Sequence, residues 1–561
     1  MSHPTGNSRR AFLKTAAGTA ACGAFGAIGP QLSLMGTALA QSSVPGYRAM
    51  VCLYLSGGSD SFNMLIPLDP ARHDEYVAAR GGLFIGNPQR LGIPRPGGEQ
   101  PIDALPAALP LDNGSHGLNP ACPELRDLCN QGRLVFMANV GPLGDPVTRA
   151  TFNSRARPPQ LYSHSDQTVL WELGQSLNSN AREGWGGMTA GRIGAQNNIP
   201  GLPPCISISN ATRFLVGRTF GTPSQPILPY RLSSSPLSPA PSLSNYSPTS
   251  TTNLQNVRRA NLEALLNDTY PQAFTAEFAD LSERSLDLGV QINQRIGLNG
   301  DFNALPGGIA FPNTNIGNQL AQVVRMIQAS RAPGGGINAN RQIFYVSTGG
   351  YDTHDGQFQG RDGGPPNGPG PSGRWGGQQG LLQEISQAVS AFYRAMVAID
   401  AHRDVLLFST SEFGRTINSN GNGTDHGWGG MQFVVGGGRG TPNGTIAGQS
   451  IGANDTGNGP LRGRNPATGA NSTDQIYGRY PRIVLNASDS AAIPDNEKGE
   501  SFSRGQFLPT MSSEQMCASL AGWMGVDAGN LTSIFPNLPR YDDFAGPGNL
   551  MAYTTPTIPY I

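Results

Sequence analysis

The feature that most constrains the fold is a set of short apolar runs, each of which is bordered by glycine or polar residues. The run Arg48–Leu55 (RAMVCLYL) leads directly into Ser-Gly-Gly-Ser-Asp. Similar runs occupy Leu134–Val140, Ile343–Ser347, Val405–Ser409 and Met431–Val435. A continuous apolar run of this length is typical of a strand that is buried on both faces of a sheet. The five runs therefore predict a central sheet covered by helices.

Helical patterns lie between these runs, at Cys122–Gln131, Gln167–Leu173, Leu381–His402 and Ser513–Met524. Alternation of apolar strands with helices predicts the α/β class, with a doubly wound, mostly parallel sheet and helices on both faces. We expect one large domain over residues 41–561.

Two regions interrupt this alternation. The region from about residue 180 to about residue 340 is expected to form an insertion or cap. Within it, the Ser/Pro-rich segment 221–253 is expected to be an insertion or a flexible loop. Residues of about 436–511 are expected to be rich in loops.

Composition narrows the class of protein. The chain has 75 glycines and 46 prolines among 561 residues, nearly twice the usual share, which excludes a coiled coil, a helical solenoid and a membrane bundle. Its 38 basic and 38 acidic residues argue against nucleic-acid binding through bulk positive charge. The lysines are Lys14 and Lys498, which argues against a P-loop, a Schiff base and a Ser-Lys nucleophile.

The amino-terminal segment carries an export pattern. Ser8–Lys14 (SRRAFLK) is followed by a weakly apolar run that ends in Ala38-Leu39-Ala40. This predicts a twin-arginine signal over residues 1–40, a periplasmic or extracellular location, and no integral membrane segment in the mature form. Five cysteines remain after cleavage, and we expect buried free thiols.

Polar side chains cluster in sequence at the ends of the predicted strands. They combine carboxylates, imidazoles, a hydroxyl and a guanidinium: Asp60, Ser163, Asp352, His354, Glu412, Arg415, Asp425 and His426. Ligands of open α/β sheets bind beyond the carboxyl ends of the strands. Carboxylate oxygens and imidazole nitrogens there suit one or two divalent metal ions.

The roles expected from this set are as follows. The metal ligands are expected among Asp60, Asp352, His354, Glu412, Asp425 and His426. Ser163 is the candidate nucleophile, since metal coordination and a helix amino terminus would both lower the pKa of its hydroxyl. Arg415 is expected to hold an anionic group by bidentate hydrogen bonds.

Each of these residues also has a purely structural interpretation. Ser163 begins the sequence Ser-His-Ser-Asp, and its only role could be to cap a helix. Asp60, Asp352 and Asp425 could close turns with their own backbone. Glu412 and Arg415 could simply pair.

The motifs LYLSGGSDSFNMLIPL, YSHSDQ, GGYDTHDGQ, TSEFGRT and GTDHGWGG resemble the exported bacterial family of domain of unknown function 1501. That family resembles the alkaline phosphatase and sulfatase superfamily, which implies a doubly wound sheet with an inserted cap. The resemblance implies that Asp60 is the first metal Asp and that Ser163 is the nucleophile. It also implies that Asp352 and His354 form a later ligand pair.

Two alignments of the remaining ligands stay open. In one, Asp425 and His426 are the Asp-His pair of the superfamily. In the other, Glu412 takes the Asp place and His426 is the final histidine, which leaves Phe413 where a ligand histidine is expected.

The sequence thus predicts a metal-dependent hydrolase that acts on a small anionic substrate, a phosphate or sulfate ester. The alternative is a non-catalytic periplasmic or surface protein that keeps the fold for binding or assembly.

Overall fold

The fold is described by a computed structural model of the chain. It covers residues 46–81, 92–98, 106–194, 202–235, 253–332, 336–364, 368–437, 445–446, 449–450, 475–478, 480–485, 501–502 and 504–541.

The described residues form one main sheet of nine strands. In chain order these are β1 Arg48–Leu55, β2 Leu134–Gly141, β3 Cys205–Ser207, β4 Tyr230–Arg231, β5 Arg341–Thr348, β6 Val405–Thr410, β7 Gly430–Gly436, β8 Ile476–Tyr477 and β9 Met511–Ser512. Their spatial order is β8-β2-β7-β6-β1-β5-β3-β4, and β9 also pairs with β2.

Strand β7 runs antiparallel to both of its neighbours, β6 and β2, whereas the other pairings in this sheet are parallel. The reason lies in the connection, since the chain passes from β6 to β7 through residues 411–429 without a helix. A parallel neighbour would need a long crossover, usually helical. Strand β7 therefore starts at the edge where β6 ends.

Ten α-helices lie within the described residues. They are α1 Pro70–Ala79, α2 Pro123–Asn130, α3 His164–Leu173, α4 Trp185–Ile193, α5 Asn253–Leu266, α6 Ala273–Ile296, α7 Asn315–Arg331, α8 Gly377–Ala398, α9 Ser513–Met524 and α10 Ala528–Leu531. The bounds of α9 follow from its ends: a capping box joins Ser512 and Gln515, and Gly525 ends the helix with a φ of 114°, as expected for these caps.

Short strands form four small sheets beside the main one. These are Leu65–Pro67 with His116–Leu118 and Leu109–Pro110, Gly217–Arg218 with Pro226–Ile227, Thr445–Ile446 with Gln449–Ser450, and Ser501–Phe502 with Gln506–Phe507.

Both faces of the sheet are covered, as β1 shows by the alternation of its side chains. Ala49, Val51 and Leu53 join a core cluster with residues of α2, α7 and α8. Met50, Cys52 and Tyr54 join a second cluster with residues of α3, α4 and α9. The predicted α/β class, with a mostly parallel sheet between two helical layers, is confirmed.

Several further predictions can be compared with the described residues. Cys52, Cys122, Cys129, Cys205 and Cys517 are all buried and free. No helix in the described part of the chain is both long and apolar enough to cross a membrane. The start of the 221–253 segment contributes β4 to the sheet edge. Residues 1–45 and most of 436–511 lie outside the described residues.

Candidate metal centre

The direction of β7 explains why distant residues meet at one edge of the sheet. Asp352 and His354 follow β5 and Glu412 follows β6, while His426 shortly precedes the antiparallel β7. An isolated backbone bridge between Arg415 and His426 joins the two sides of the β6–β7 connection. The carboxyl ends of two strands and the amino end of a third therefore meet at one edge.

Gly57, after β1, lets the backbone approach this edge closely. A Cβ atom there would lie 2.3 Å from the amide nitrogen of Asp352, and the φ of Gly57 is 120°. Its N–H donates to Glu412 Oε1 at 2.8 Å, and its carbonyl accepts from Arg415 at 3.2 Å. Only glycine fits this position without displacing Asp352.

The orientation of His426 is fixed by a backbone carbonyl. Its Nδ1 lies 2.7 Å from the carbonyl oxygen of Tyr162, which can only accept, so Nδ1 must donate. Nε2 of the neutral ring is then a lone-pair donor. Tyr162 has a φ of 70°, and such strain in a non-glycine residue costs about 1–3 kcal/mol and tends to occur at functional sites.

In two further histidines, a carboxylate instead of a carbonyl fixes the orientation of the ring through Nδ1. His164 Nδ1 lies 2.7 Å from Glu412 Oε1, and His354 Nδ1 lies 3.0 Å from Asp425 Oδ1. A carboxylate that accepts from one ring nitrogen fixes the tautomer and makes the other nitrogen a better ligand. Each imidazole therefore presents an unprotonated Nε2.

The Nε2 atoms of His164 and His354 both lie close to that of His426, and all three lie close to Asp352. His426 Nε2 lies 3.0 Å from His164 Nε2 and 2.9 Å from His354 Nε2. Asp352 Oδ1 is 3.2 Å from His354 Nε2 and 3.3 Å from His426 Nε2. Asp352 Oδ2 is 3.5 Å from His164 Nε2. His164, Asp352 and His426 form a group whose ligand atoms all lie within 4.8 Å of one another.

The donor set fits a divalent transition-metal ion. Bonds of about 2.0–2.1 Å at tetrahedral angles place ligand atoms about 3.3 Å apart, and right angles place them about 2.9 Å apart. Without a cation or an added proton, the facing Nε2 lone pairs would repel each other. Imidazole donors favour Zn, Cu, Fe or Ni over Mg and Ca.

The surroundings shift the pKa values of His426 and His164 in opposite directions, so a proton on His164 would have to leave before a metal ion binds there. Burial lowers the pKa of His426. The hydrogen bond to Glu412 raises the pKa of His164. Burial acts to raise the pKa of Asp352, but the hydrogen bond and charge of Arg415 outweigh it and lower this pKa.

Asp60 was expected as a metal ligand, and the structure gives its oxygens other partners. Arg80 donates to them at 2.6 and 2.7 Å, and Gln357 donates at 2.6 Å. Asp60 and Arg80 are both fully buried. This ion pair occupies the carboxylate that the family resemblance assigned to a metal.

Glu412 and Asp425 were also expected as ligands. Each carboxylate contacts the Nδ1 atom of a histidine, on the side of the ring away from the Nε2 atoms of the centre. Besides His164, Glu412 accepts from Tyr54 and Ser411, both at 3.1 Å. Asp425 accepts from His354, from Asn420 at 3.0 Å, and from Arg504. In this geometry both carboxylates orient histidines.

Arg415 was expected to hold an anion, but its side chain is fully buried. It donates to Asp352 Oδ1 at 2.8 Å, to Thr424 and to the Gly57 carbonyl. Its donors therefore hold Asp352 and the adjoining loops in place.

Ser163 is the residue before α3, yet its side chain does not cap the helix. Its hydroxyl donates to Asp166 Oδ2 at 2.5 Å and lies 3.3 Å from Ser165 Oγ. The capping interpretation is therefore wrong for the side chain. The hydroxyl instead contacts a carboxylate that can accept its proton.

His164 was not among the expected ligands, although it is central to the cluster. Its signal in the sequence was weak, because it stands between Ser163 and Ser165 and the predicted helix began only at Gln167. Phe413, at 3% exposure, packs against the rings of His164 and His426 with centroid distances of 4.8 Å. It supplies an apolar wall to the centre.

Comparisons with known proteins agree with part of this description. Residues 228–458 match a family model described as "Protein of unknown function (DUF1501)", the family that the motifs resemble. The matched segment contains Asp352, His354 and His426, whereas Ser163 and His164 precede it.

Among solved structures, the PsFucS1 sulfatase from Pseudoalteromonas sp. aligns at 11% identity and a TM-score of 0.23. The alignment covers 69% of this chain and 59% of that chain, so this chain spans less than two thirds of its length. None of the curated proteins compared with the chain matches it.

Proposed function

We propose that the protein is a hydrolase of phosphate or sulfate esters that depends on one divalent transition-metal ion. The observation that carries this proposal is the group formed by His164, His426 and Asp352, whose ligand atoms all lie within 4.8 Å of one another. These three residues would hold the ion, beside His354, whose Nε2 lies 2.9 Å from that of His426. When bound, the ion would supply Lewis-acid polarisation of a substrate oxygen.

The chain's own residues account for the nucleophile. Ser163 Oγ already donates to Asp166 Oδ2. In the proposed reaction that proton passes to Asp166 as Oγ forms a bond to phosphorus or sulfur. The bond to the leaving alkoxide breaks, and the alkoxide takes a proton from water. The hydroxide left by that water attacks phosphorus or sulfur, the bond to Ser163 Oγ breaks, and Oγ takes back the proton from Asp166.

The fixed shell around the ligands supports a pre-formed site. Glu412 holds His164, Asp425 holds His354, and the Tyr162 carbonyl holds His426. Because each ring is fixed at Nδ1, His164, His426 and Asp352 need no rearrangement to bind an ion.

We propose further that the protein works outside the cytoplasm. The twin-arginine pattern of Ser8–Lys14 and the Ala38-Leu39-Ala40 site support this proposal. The twin-arginine route would export the chain already folded.

The test is elemental analysis of protein purified without chelator, followed by assays with p-nitrophenyl phosphate and p-nitrophenyl sulfate. We expect about one equivalent of a transition metal and hydrolysis of at least one ester. Ser163→Ala and Asp166→Asn should abolish turnover and keep the metal, and Ser282→Ala, on α6, is the matched control, because its hydroxyl donates only to the Phe278 carbonyl. A metal-loaded protein that hydrolyses neither ester would contradict the proposal.

A second candidate function is binding or assembly without catalysis, favoured by apolar side chains on α5 and α6. Phe274 is 85% exposed, and Leu254, Val257 and Phe278 are also largely exposed. Contiguous exposed apolar side chains are typical of interaction surfaces. A stable protein partner, lost on Phe274→Ser and Phe278→Ser substitution, would support this function.

A further inference from the structure

An oxyanion bound at the metal centre would need a cationic side chain beside it, and two nearby arginines are already engaged. Arg415 is fully buried and paired with Asp352. Arg504 is paired with Asp425, whose other oxygen accepts from His354. Neither guanidinium can turn to a ligand without releasing a carboxylate that organises the centre.

Arg157 differs from both of them. It is exposed, and its guanidinium carbon lies 4.2 Å from the centroid of the Phe152 ring. Within the described part of the chain, no carboxylate lies within ion-pair distance of it. Stacking on a ring fixes a guanidinium while leaving its N–H edge available for hydrogen bonds.

The Phe152 ring beneath Arg157 packs on the segment that follows His426. The Phe152 ring packs edge-on against Phe502 and Trp428, with centroid distances of 4.5 and 6.2 Å. Trp428 lies two residues after His426, and its indole N–H is fixed by the Pro142 carbonyl at 2.7 Å. The ring that carries Arg157 is thus packed on the segment that places a ligand histidine.

A second connection to the same histidine runs along the chain. Tyr162 follows Arg157 by five residues in the loop before α3, and the carbonyl of Tyr162 accepts from His426. The loop before α3 and the segment before β7 therefore both connect Arg157 with His426.

We propose that Arg157 is the specificity-determining residue that binds the oxyanion of the substrate at this centre. The inference rests on the proposed function, since it names the residue that selects anionic esters for that site. The guanidinium fork would donate two parallel hydrogen bonds to two oxygens of a phosphate or sulfate group. Arg157 thereby takes the role that the sequence suggested for Arg415.

The experiment measures binding of inorganic phosphate and of inorganic sulfate to the metal-loaded protein by isothermal titration calorimetry. The variants are Arg157→Gln, which removes the charge, and Arg157→Lys, which keeps the charge without the fork. Arg231→Gln is the matched control, because Arg231 is an exposed arginine on the edge strand β4. Metal content is measured in every sample.

We expect Arg157→Gln to weaken binding of at least one anion by about tenfold to 100-fold, as for loss of charged hydrogen bonds. Arg157→Lys should fall in between, and Arg231→Gln should bind as the wild type does, all with unchanged metal content. Where an ester is hydrolysed, the loss should appear in KM more than in kcat. The anion that loses more affinity identifies the substrate as a phosphate or a sulfate ester.

Two results would overturn this inference: anion binding that is equal in Arg157→Gln and wild type, or no binding of either anion to the metal-loaded wild type. Failure of the proposed function gives a different result. In that case both anions or one of them would bind in an Arg157-dependent way, while no ester is hydrolysed.

Discussion

Two carboxylates at the same edge of the sheet, Asp60 and Asp352, have opposite surroundings. Asp60 is fully buried, and both of its oxygens accept from Arg80. Asp352 is 47% exposed, and Arg415 contacts only its Oδ1. Three imidazole nitrogens lie within 3.5 Å of the Asp352 carboxylate.

The difference shows that the partners of a carboxylate decide its role at a strand end. A guanidinium that donates to both oxygens completes the hydrogen bonding of Asp60 and leaves it no need for a metal. Neutral imidazoles cannot neutralise Asp352, and their lone pairs face one another. The Asp60 pocket is complete in itself, whereas the metal centre gains stability from a cation.

The largest expected effect is loss of the metal. His426→Ala removes the Nε2 atom that lies within about 3 Å of the Nε2 atoms of both His164 and His354. Loss of a residue that only orients a ligand costs roughly 10–100-fold in metal affinity, so loss of this ligand should cost more. Chelator competition measures this affinity. His116→Ala, in a small sheet, should bind metal as the wild type does, and equal losses in both variants would break the comparison.

In the Asp60 pocket, the expected effect is on folding. Arg80→Met leaves a buried carboxylate unpaired, which should lower the free energy of unfolding by about 3–5 kcal/mol. Urea denaturation measures this value. The double variant Asp60→Asn/Arg80→Met should recover part of the loss, and its metal content should stay at the wild-type level. Loss of metal in this folded double variant would instead assign Asp60 to the metal centre.

A smaller effect is expected from the shell behind the ligands. Glu412→Gln keeps the shape of the side chain but removes the charge that supports His164, so metal affinity should fall by about 10–100-fold. Glu277→Gln, which removes an exposed carboxylate on α6, serves as the control in the same chelator assay. An unchanged affinity in Glu412→Gln would mean that His164 needs no carboxylate behind it.

A third carboxylate, that of Glu514, sharpens the comparison, because it is buried like that of Asp60 but contacts no guanidinium among the described residues. Glu514 accepts from the Ser176 N–H at 2.7 Å and from Asn537 at 2.9 Å, and burial raises its pKa to about 7. Because the pKa of Glu514 is higher in the folded than in the unfolded protein, the protonated side chain stabilises the fold below the unfolded-state pKa. This stabilisation is lost as the pH rises through 7. Stability should therefore fall by about 2 kcal/mol between pH 5 and pH 7.

Glu514→Gln should flatten this slope, since the amide does not ionise. Urea denaturation at several pH values measures it. A slope equal to that of the wild type would show that another group titrates in this range.

Much of the fold could be predicted from local pattern. The bounds of β1 and α9 agree with the sequence-based expectation, because an uninterrupted apolar run and a capping box are local signals. The direction of β7 could not be predicted, because it depends on the connection from β6. Its antiparallel course is what places His426 at the ligand edge.

The candidate site was predictable in position and only partly in its members. Asp352, His354 and His426 were expected beside strand ends, and the structure brings these three side chains together there. Distinguishing ligands from outer carboxylates required knowing which oxygen faces which nitrogen, and that depends on side-chain direction. Arg80 lies twenty residues from Asp60 on α1, and no pattern in the sequence joins the two.

The most direct test of the central claim is an anomalous-difference map from crystals of metal-loaded protein, recorded at the absorption edge of the metal. Our account predicts one peak within bonding distance of the Nε2 atoms of His164 and His426 and of Asp352, with no peak beside Asp60. A peak at the Asp60 carboxylate, or none at the His164–Asp352–His426 group, would contradict it.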